Sequence, residues 1–188
     1  MRGVQSLCLA ILPLLISGCE KNAKKSASRD ACSLVSKEEV GSVQEGLVKE
    51  TNSSERSDGV FRFCQCFYTA TEFSKSVNLV LVEKDLNQRS KRSPKDFWNE
   101  KFGPYNTNER ERDGKAQSKA GDEKEKGTPP KKVSGLGDDA YWVSNRFGGV
   151  LYILKGDVFL SIGLGGTDDE DTKLNKSKVL AQKALQRL

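Results

Sequence analysis

Histidine does not occur anywhere in the 188 residues, which removes the commonest general base near neutral pH and the commonest imidazole metal ligand. Histidine-based triads and HExxH zinc sites are thereby excluded. Long apolar runs are also scarce. One run, residues 4–16, is interrupted by Gln5, Ser6 and Pro13, and it falls short of the roughly 20 apolar residues that a bilayer-crossing helix needs. A charge excess of one sign is missing as well: 31 basic and 26 acidic residues leave a net +5. The lysines and arginines mostly have acids beside them, so no basic stripe marks a nucleic-acid binder, and nucleic acid is not an expected partner.

What the N-terminus does contain is ordered like an export signal. Met1-Arg2 gives a positive start, the apolar run follows, and Ser17-Gly18-Cys19 closes it ahead of the polar Glu20-Lys21-Asn22. Leu15-Ile16-Ser17-Gly18-Cys19 resembles the bacterial lipobox, in which small residues precede a cysteine that is acylated and becomes the new N-terminus. The expectation is a lipoprotein signal peptide over residues 1–18, lipid on Cys19 and a flexible tether over residues 19–29. Residues 30–188 then form a single domain. Its place is the cell envelope, anchored to a bacterial membrane with the domain facing periplasm or exterior.

Of five cysteines, Cys8 leaves with the signal and Cys19 carries lipid, so Cys32, Cys64 and Cys66 remain for the domain. Export favours a disulfide, from Cys32 to Cys66 or to Cys64, and the favoured partner is Cys66. Cys64 and Cys66 lie two apart, so on a strand they share a face and only one can meet Cys32. A three-thiolate metal or redox site is the competing reading, weakened by the lack of a fourth ligand.

Ser36-Lys37-Glu38-Glu39 has capping-box spacing and predicts a helix to about Gln44, with Gly46 placed to end it. Residues 47–50 can begin an edge strand ahead of a polar loop over 52–58. Residues 59–71 and 77–83 are rich in β-branched and aromatic side chains and predict an antiparallel pair. Ser93-Pro94 predicts a helix over 95–102 that packs Phe97, Trp98 and Phe102. Residues 106–132 hold almost no large apolar side chain and predict a mobile charged loop. Strands over 140–144, 150–154 and 158–164 form a meander. A C-terminal helix follows Asp168-Asp169-Glu170-Asp171, with Leu174, Ser177, Ala181, Ala184 and Leu188 on one stripe. The fold class is α+β, an antiparallel sheet flanked by an N-terminal and a C-terminal helix.

Gly135-Leu136-Gly137-Asp138-Asp139-Ala140-Tyr141-Trp142 brings glycines, paired acids and two aromatics together where a loop enters a strand. Asp138, Asp139, Tyr141 and Trp142 form a candidate ligand surface, set against the plainer reading of a tight turn, two solvated acids and an aromatic core plug. The acids at 168–171 lack EF-hand spacing and suit helix capping. Gly163-Leu164-Gly165-Gly166 lacks the Walker lysine and the dinucleotide fingerprint, which makes it a strand exit. No residue set marks a catalytic, metal or cofactor site.

The lipobox, the polar tether, Asp30-Ala31-Cys32-Ser33-Leu34-Val35-Ser36-Lys37-Glu38-Glu39-Val40, Cys66-Phe67-Tyr68 and Val133-Ser134-Gly135-Leu136-Gly137-Asp138-Asp139-Ala140-Tyr141 follow in one layout. That layout resembles small bacterial lipoproteins of unassigned function, some of them actinobacterial. The opening is similar to that of extracellular sensor domains on bacterial serine/threonine kinases and of lipoproteins with a PsbP-like fold. The resemblance implies an α+β domain, a Cys32–Cys66 bridge, and binding or sensing rather than catalysis. Cys64 and the charged insertion depart from the pattern. The expected partners are the membrane, through Cys19, and an envelope protein, a glycan or a small hydrophobic ligand. The alternatives are an interaction lipoprotein with no pocket and a hydrolase built on the carboxylates at 138, 139 and 168–171.

Overall fold

The computed structural model describes residues 29–87, 89–105 and 128–188. The signal segment, Cys19, the tether up to residue 28 and residues 106–127 of the charged loop lie outside them. The described chain is one α+β unit around a seven-stranded antiparallel sheet. The strands are β1 (Val48–Ser57), β2 (Phe61–Ala70), β3 (Val77–Lys84), β4 (Lys131–Lys132), β5 (Asp139–Val143), β6 (Val150–Lys155) and β7 (Val158–Leu164). Their spatial order is β1-β2-β3-β7-β6-β5-β4. Two meanders, one from each half of the chain, therefore meet at the β3–β7 seam, where Leu79 lies opposite Ile162 and Leu81 opposite Leu160.

Among the described residues three α-helices cover the sheet unequally. Helices α1 (Lys37–Gln44) and α3 (Glu170–Leu185) share one face. Alternation along the strands directs Cys66, Leu79, Leu151, Ile153 and Ile162 into that layer, where they meet Leu174 and Leu180 of α3. Helix α2 (Pro94–Phe102) covers part of the opposite face, packing Trp98 and Phe102 on Phe61, Tyr141, Leu154 and Phe159. Among the described residues no helix is long and apolar enough to cross a membrane.

Cys32 and Cys66 form a disulfide, and Cys64 is a buried free thiol. Two hydrogen bonds to Asp30, one local and one from β1, aim Cys32. Asp30 accepts from the Cys32 N–H at 3.0 Å and from Ser53 Oγ at 3.0 Å. Ser53 is the register partner of Cys66, so the short 3-10 turn Ala31–Ser33 is pinned above Cys66 rather than Cys64.

Three local expectations are corrected. The polar residues 52–57 continue β1 instead of forming a loop, because β2 supplies a partner for every backbone group on one side and an edge strand needs no apolar face. Lys131 and Lys132, expected within the charged loop, pair with Trp142 and Tyr141 as β4. Helix α1 ends with Glu45, not Gly46, in the left-handed conformation (φ 52°), while the Gly46 N–H returns to the Gly41 carbonyl at 3.0 Å.

Candidate functional site

The loop from Val133 to Asp138 is held at both ends by backbone. The Val133 N–H donates to the Ala140 carbonyl at 2.9 Å, and the Asp138 N–H donates to the Leu154 carbonyl at 2.8 Å. Gly135 (φ 80°) and Gly137 (φ 59°) turn the chain between them. Gly137 also passes so close to β6 that a Cβ there would lie 2.3 Å from the Leu154 carbonyl oxygen. Leu136 is buried beneath the turn.

This loop, the first turns of α2 and the β6–β7 turn at Gly156 enclose an open cleft of about 430 Å³. Lys95, Trp98 and Asn99 line it from α2, and Lys132, Asp138 and Asp139 line it from the opposite side. Asp139 accepts from Trp98 Nε1 at 3.3 Å and from its own neighbour's amide, Ala140, at 3.1 Å, with Lys132 Nζ at 3.4 Å. Asp138 accepts from the Gly156 N–H at 2.6 Å and from Lys155 Nζ at 3.3 Å. The Gly156 amide, ahead of Lys155, holds the Asp138 carboxyl below the ordinary carboxylate range. Asp138 is therefore ionised near neutral pH and serves as an acceptor, not as a proton donor.

Tyr141 and Trp142 do not line this cleft together. As neighbours on β5 they project to opposite faces of the sheet. Tyr141 stacks on Phe102 beneath α2, with ring centroids 4.9 Å apart, and its buried hydroxyl has no hydrogen-bond partner among the described residues. Trp142 enters the other layer and donates from Nε1 to Glu170 at 2.7 Å. Gly149 lies against the same indole, where a Cβ would sit 2.3 Å from Cζ2. Both aromatics are packed side chains, and of the acid pair Asp138 is exposed while Asp139 is half-buried.

The acids at the start of α3 are engaged elsewhere. Asp168 pairs with Lys176 at 2.7 Å, and Asp169 caps the helix by accepting from the Thr172 N–H at 2.8 Å. Glu170 accepts from Ser144 and Trp142. None of residues 168–171 lines the cleft with Asp138 and Asp139. Among the described residues no group of His, Cys, Asp and Glu side chains is arranged to hold a metal. Gly165 in the glycine-rich exit packs against backbone, a Cβ there falling 2.0 Å from the Ser74 carbonyl oxygen.

The sequence motif identified the acid pair but not its surroundings. Lys95, Trp98 and Asn99 lie some forty residues upstream of Asp139, and Lys132 reaches the cleft through the two-residue pairing of β4. The signals for α2 were its cap, its proline and the aromatics Phe97, Trp98 and Phe102, which give its start and the residues it packs but not which distant acids it meets.

No protein-family model matches this chain, and no curated protein or solved structure shows significant similarity to it.

Proposed function

We propose that the protein is a bacterial envelope lipoprotein, acylated on Cys19, whose domain binds a polar, charge-bearing ligand in the cleft between α2 and the 133–138 loop. The observation that carries this reading is the cleft itself. It sets the Lys95 and Lys132 cations beside the Asp138 and Asp139 carboxylates, against the edge of Trp98, on a loop fixed by backbone hydrogen bonds. Groups of both signs held on rigid elements suit a ligand that also carries both, such as a short peptide or a peptide-bearing glycan, better than a small hydrophobic molecule. Binding is favoured over catalysis because the acids are already satisfied by lysines, amides and an indole, and Asp138 is kept ionised. The lipobox and the disulfide support an exported, anchored chain.

The test is crosslinking and co-purification from intact bacterial envelopes, using the full chain, Cys19→Ala and Lys95→Glu. Lys95 is exposed in the first turn of α2, where an acid is well tolerated, so its variant alters the cleft without disturbing the core. The expected results are membrane retention for wild type and Lys95→Glu, release of Cys19→Ala, and ligand capture reduced about tenfold by Lys95→Glu, or about 1.4 kcal/mol. Retention of Cys19→Ala on the membrane, or native protein without a fatty-acid mass on Cys19, overturns the anchoring. Capture indifferent to Lys95→Glu overturns the cleft.

A further inference from the structure

β1 is the long edge of the sheet. Its ten residues pair with β2 on one side, and among the described residues no strand borders the other. It contains no proline, and residues 52–57 are all exposed. An unpaired row of amides and carbonyls of this length is a template for another strand. The hairpin fixes which groups face outward. The Asp58 N–H bonds the Phe61 carbonyl. The alternation of an antiparallel ladder then turns Arg56, Ser54 and Asn52 toward β2 and leaves the amides and carbonyls of Ser57, Glu55, Ser53 and Thr51 pointing away.

The charge order along this edge selects the strand that fits. Lys49-Glu50 stands at one end and Glu55-Arg56 at the other, with only Thr, Asn and Ser between. Two copies of β1 meeting antiparallel about a two-fold axis must place one residue opposite its own copy. Facing pairs alternate between hydrogen-bonded and non-hydrogen-bonded, and symmetry forbids one pair from being both. That rule excludes the arrangement in which Glu50 faces Glu55 and Lys49 faces Arg56. The allowed register about Ser53 sets Glu50 against Arg56 of the second copy, twice over. The allowed register about Asn52 relies on Lys49, which sits in the irregularity between Val48 and Glu50, and on Glu55, which already pairs with Arg62.

We propose that the protein self-associates through β1, two copies pairing antiparallel about Ser53 to form one continuous sheet. The two-fold axis stands perpendicular to that sheet, so the α1/α3 faces of both copies look the same way. Arg29, where the described domain begins, lies on that face, bonding Glu83 and offering its carbonyl to Arg62. The described domains of both copies therefore begin on one side of the joint sheet, as the anchoring proposed above requires of two chains held at one surface through Cys19.

Sedimentation velocity on the full chain in mild detergent, at a ratio that leaves chance co-occupancy of micelles rare, tests the pairing. Wild type is expected to dimerise. Glu50→Arg, an exposed change whose fold is checked by circular dichroism, sets arginine against arginine twice and weakens association by about tenfold or more. Arg56→Glu does the same with acids. An equimolar mixture of the two variants regains the dimer, since every facing pair is again Glu with Arg. A wild type that stays monomeric at its highest soluble concentration overturns the proposal, whether β1 is idle or captures a foreign strand. A dimer indifferent to Glu50→Arg, or one not restored by mixing, overturns it as well.

Discussion

Gly137 shows how much of the cleft depends on a single missing methyl group. Its backbone lies in the left-handed region (φ 59°) and close against Leu154, whereas Gly135 has a similar angle (φ 80°) with open space around the position of a Cβ. Gly137→Ala therefore combines conformational strain with a backbone clash, and is expected to lower unfolding free energy by about 2–4 kcal/mol. Gly135→Ala should cost only about 1 kcal/mol. Urea denaturation of the two variants checks this, and equal losses would show that the close approach carries no weight. At the same scale, the two thiol positions on β2 diverge by environment. Burial pushes the Cys64 thiol up to about 11, against the opposing pull of Arg62, so it stays protonated and inert while its neighbour two residues on is bridged. The sequence showed that only one of the pair could meet Cys32. The contact between Asp30 and Ser53 that aims Cys32 had no sequence signal, because it joins residues 23 apart.

At the scale of elements, local chemistry was the more legible part. Ser36 and Glu39 form the capping box that their spacing predicts, with bonds of 3.2 and 2.9 Å. Ser93 and Asp96 start α2 in the same way. Glu39 also receives Arg187 and Lys183 from the far end of the chain, which ties α1 to the last turn of α3. The Arg187 hydrogen bonds first, and then the Ser36 amide, draw the Glu39 carboxyl down to about 2. Because the folded value is depressed, the stabilisation is fully present above about pH 4.5, the unfolded value, and is lost as pH falls toward about 2. Arg187 and Lys183 are partly solvated, so screening reduces the contribution to about 1–2 kcal/mol. Glu39→Gln is expected to lose that amount at neutral pH and to flatten the acid limb of the stability curve between those two pH values. Chemical denaturation across pH measures it, and an unchanged acid limb would remove Glu39 as its source. Strand β1 was less legible for a physical reason. Hydrophobic alternation reports a buried face, and a strand that is exposed on both faces over residues 52–57 has none to report.

For the whole molecule, the bridge between Cys32 and Cys66 closes a separation of 34 residues and pins the start of the domain onto the second strand from the edge. Restriction of the unfolded chain over a loop of that size stabilises by about 3–4 kcal/mol. Reduction, or Cys32→Ser, should lower the urea midpoint accordingly, and a midpoint unmoved by reductant would mean that the turn at Ala31–Ser33 holds without its bridge. What the sequence determined by itself is what short-range chemistry encodes: caps, the period-two strands, the helical stripe of α3, and the turn glycines. The tertiary structure alone decided that β3 and β7 join two meanders into one sheet, and that α2 lies on the face opposite α1 and α3. It also brought Lys95, Trp98 and Lys132 to Asp139. The reason is that pairing and packing partners distant along the chain are selected by the burial of whole faces at once, which no local window of residues contains.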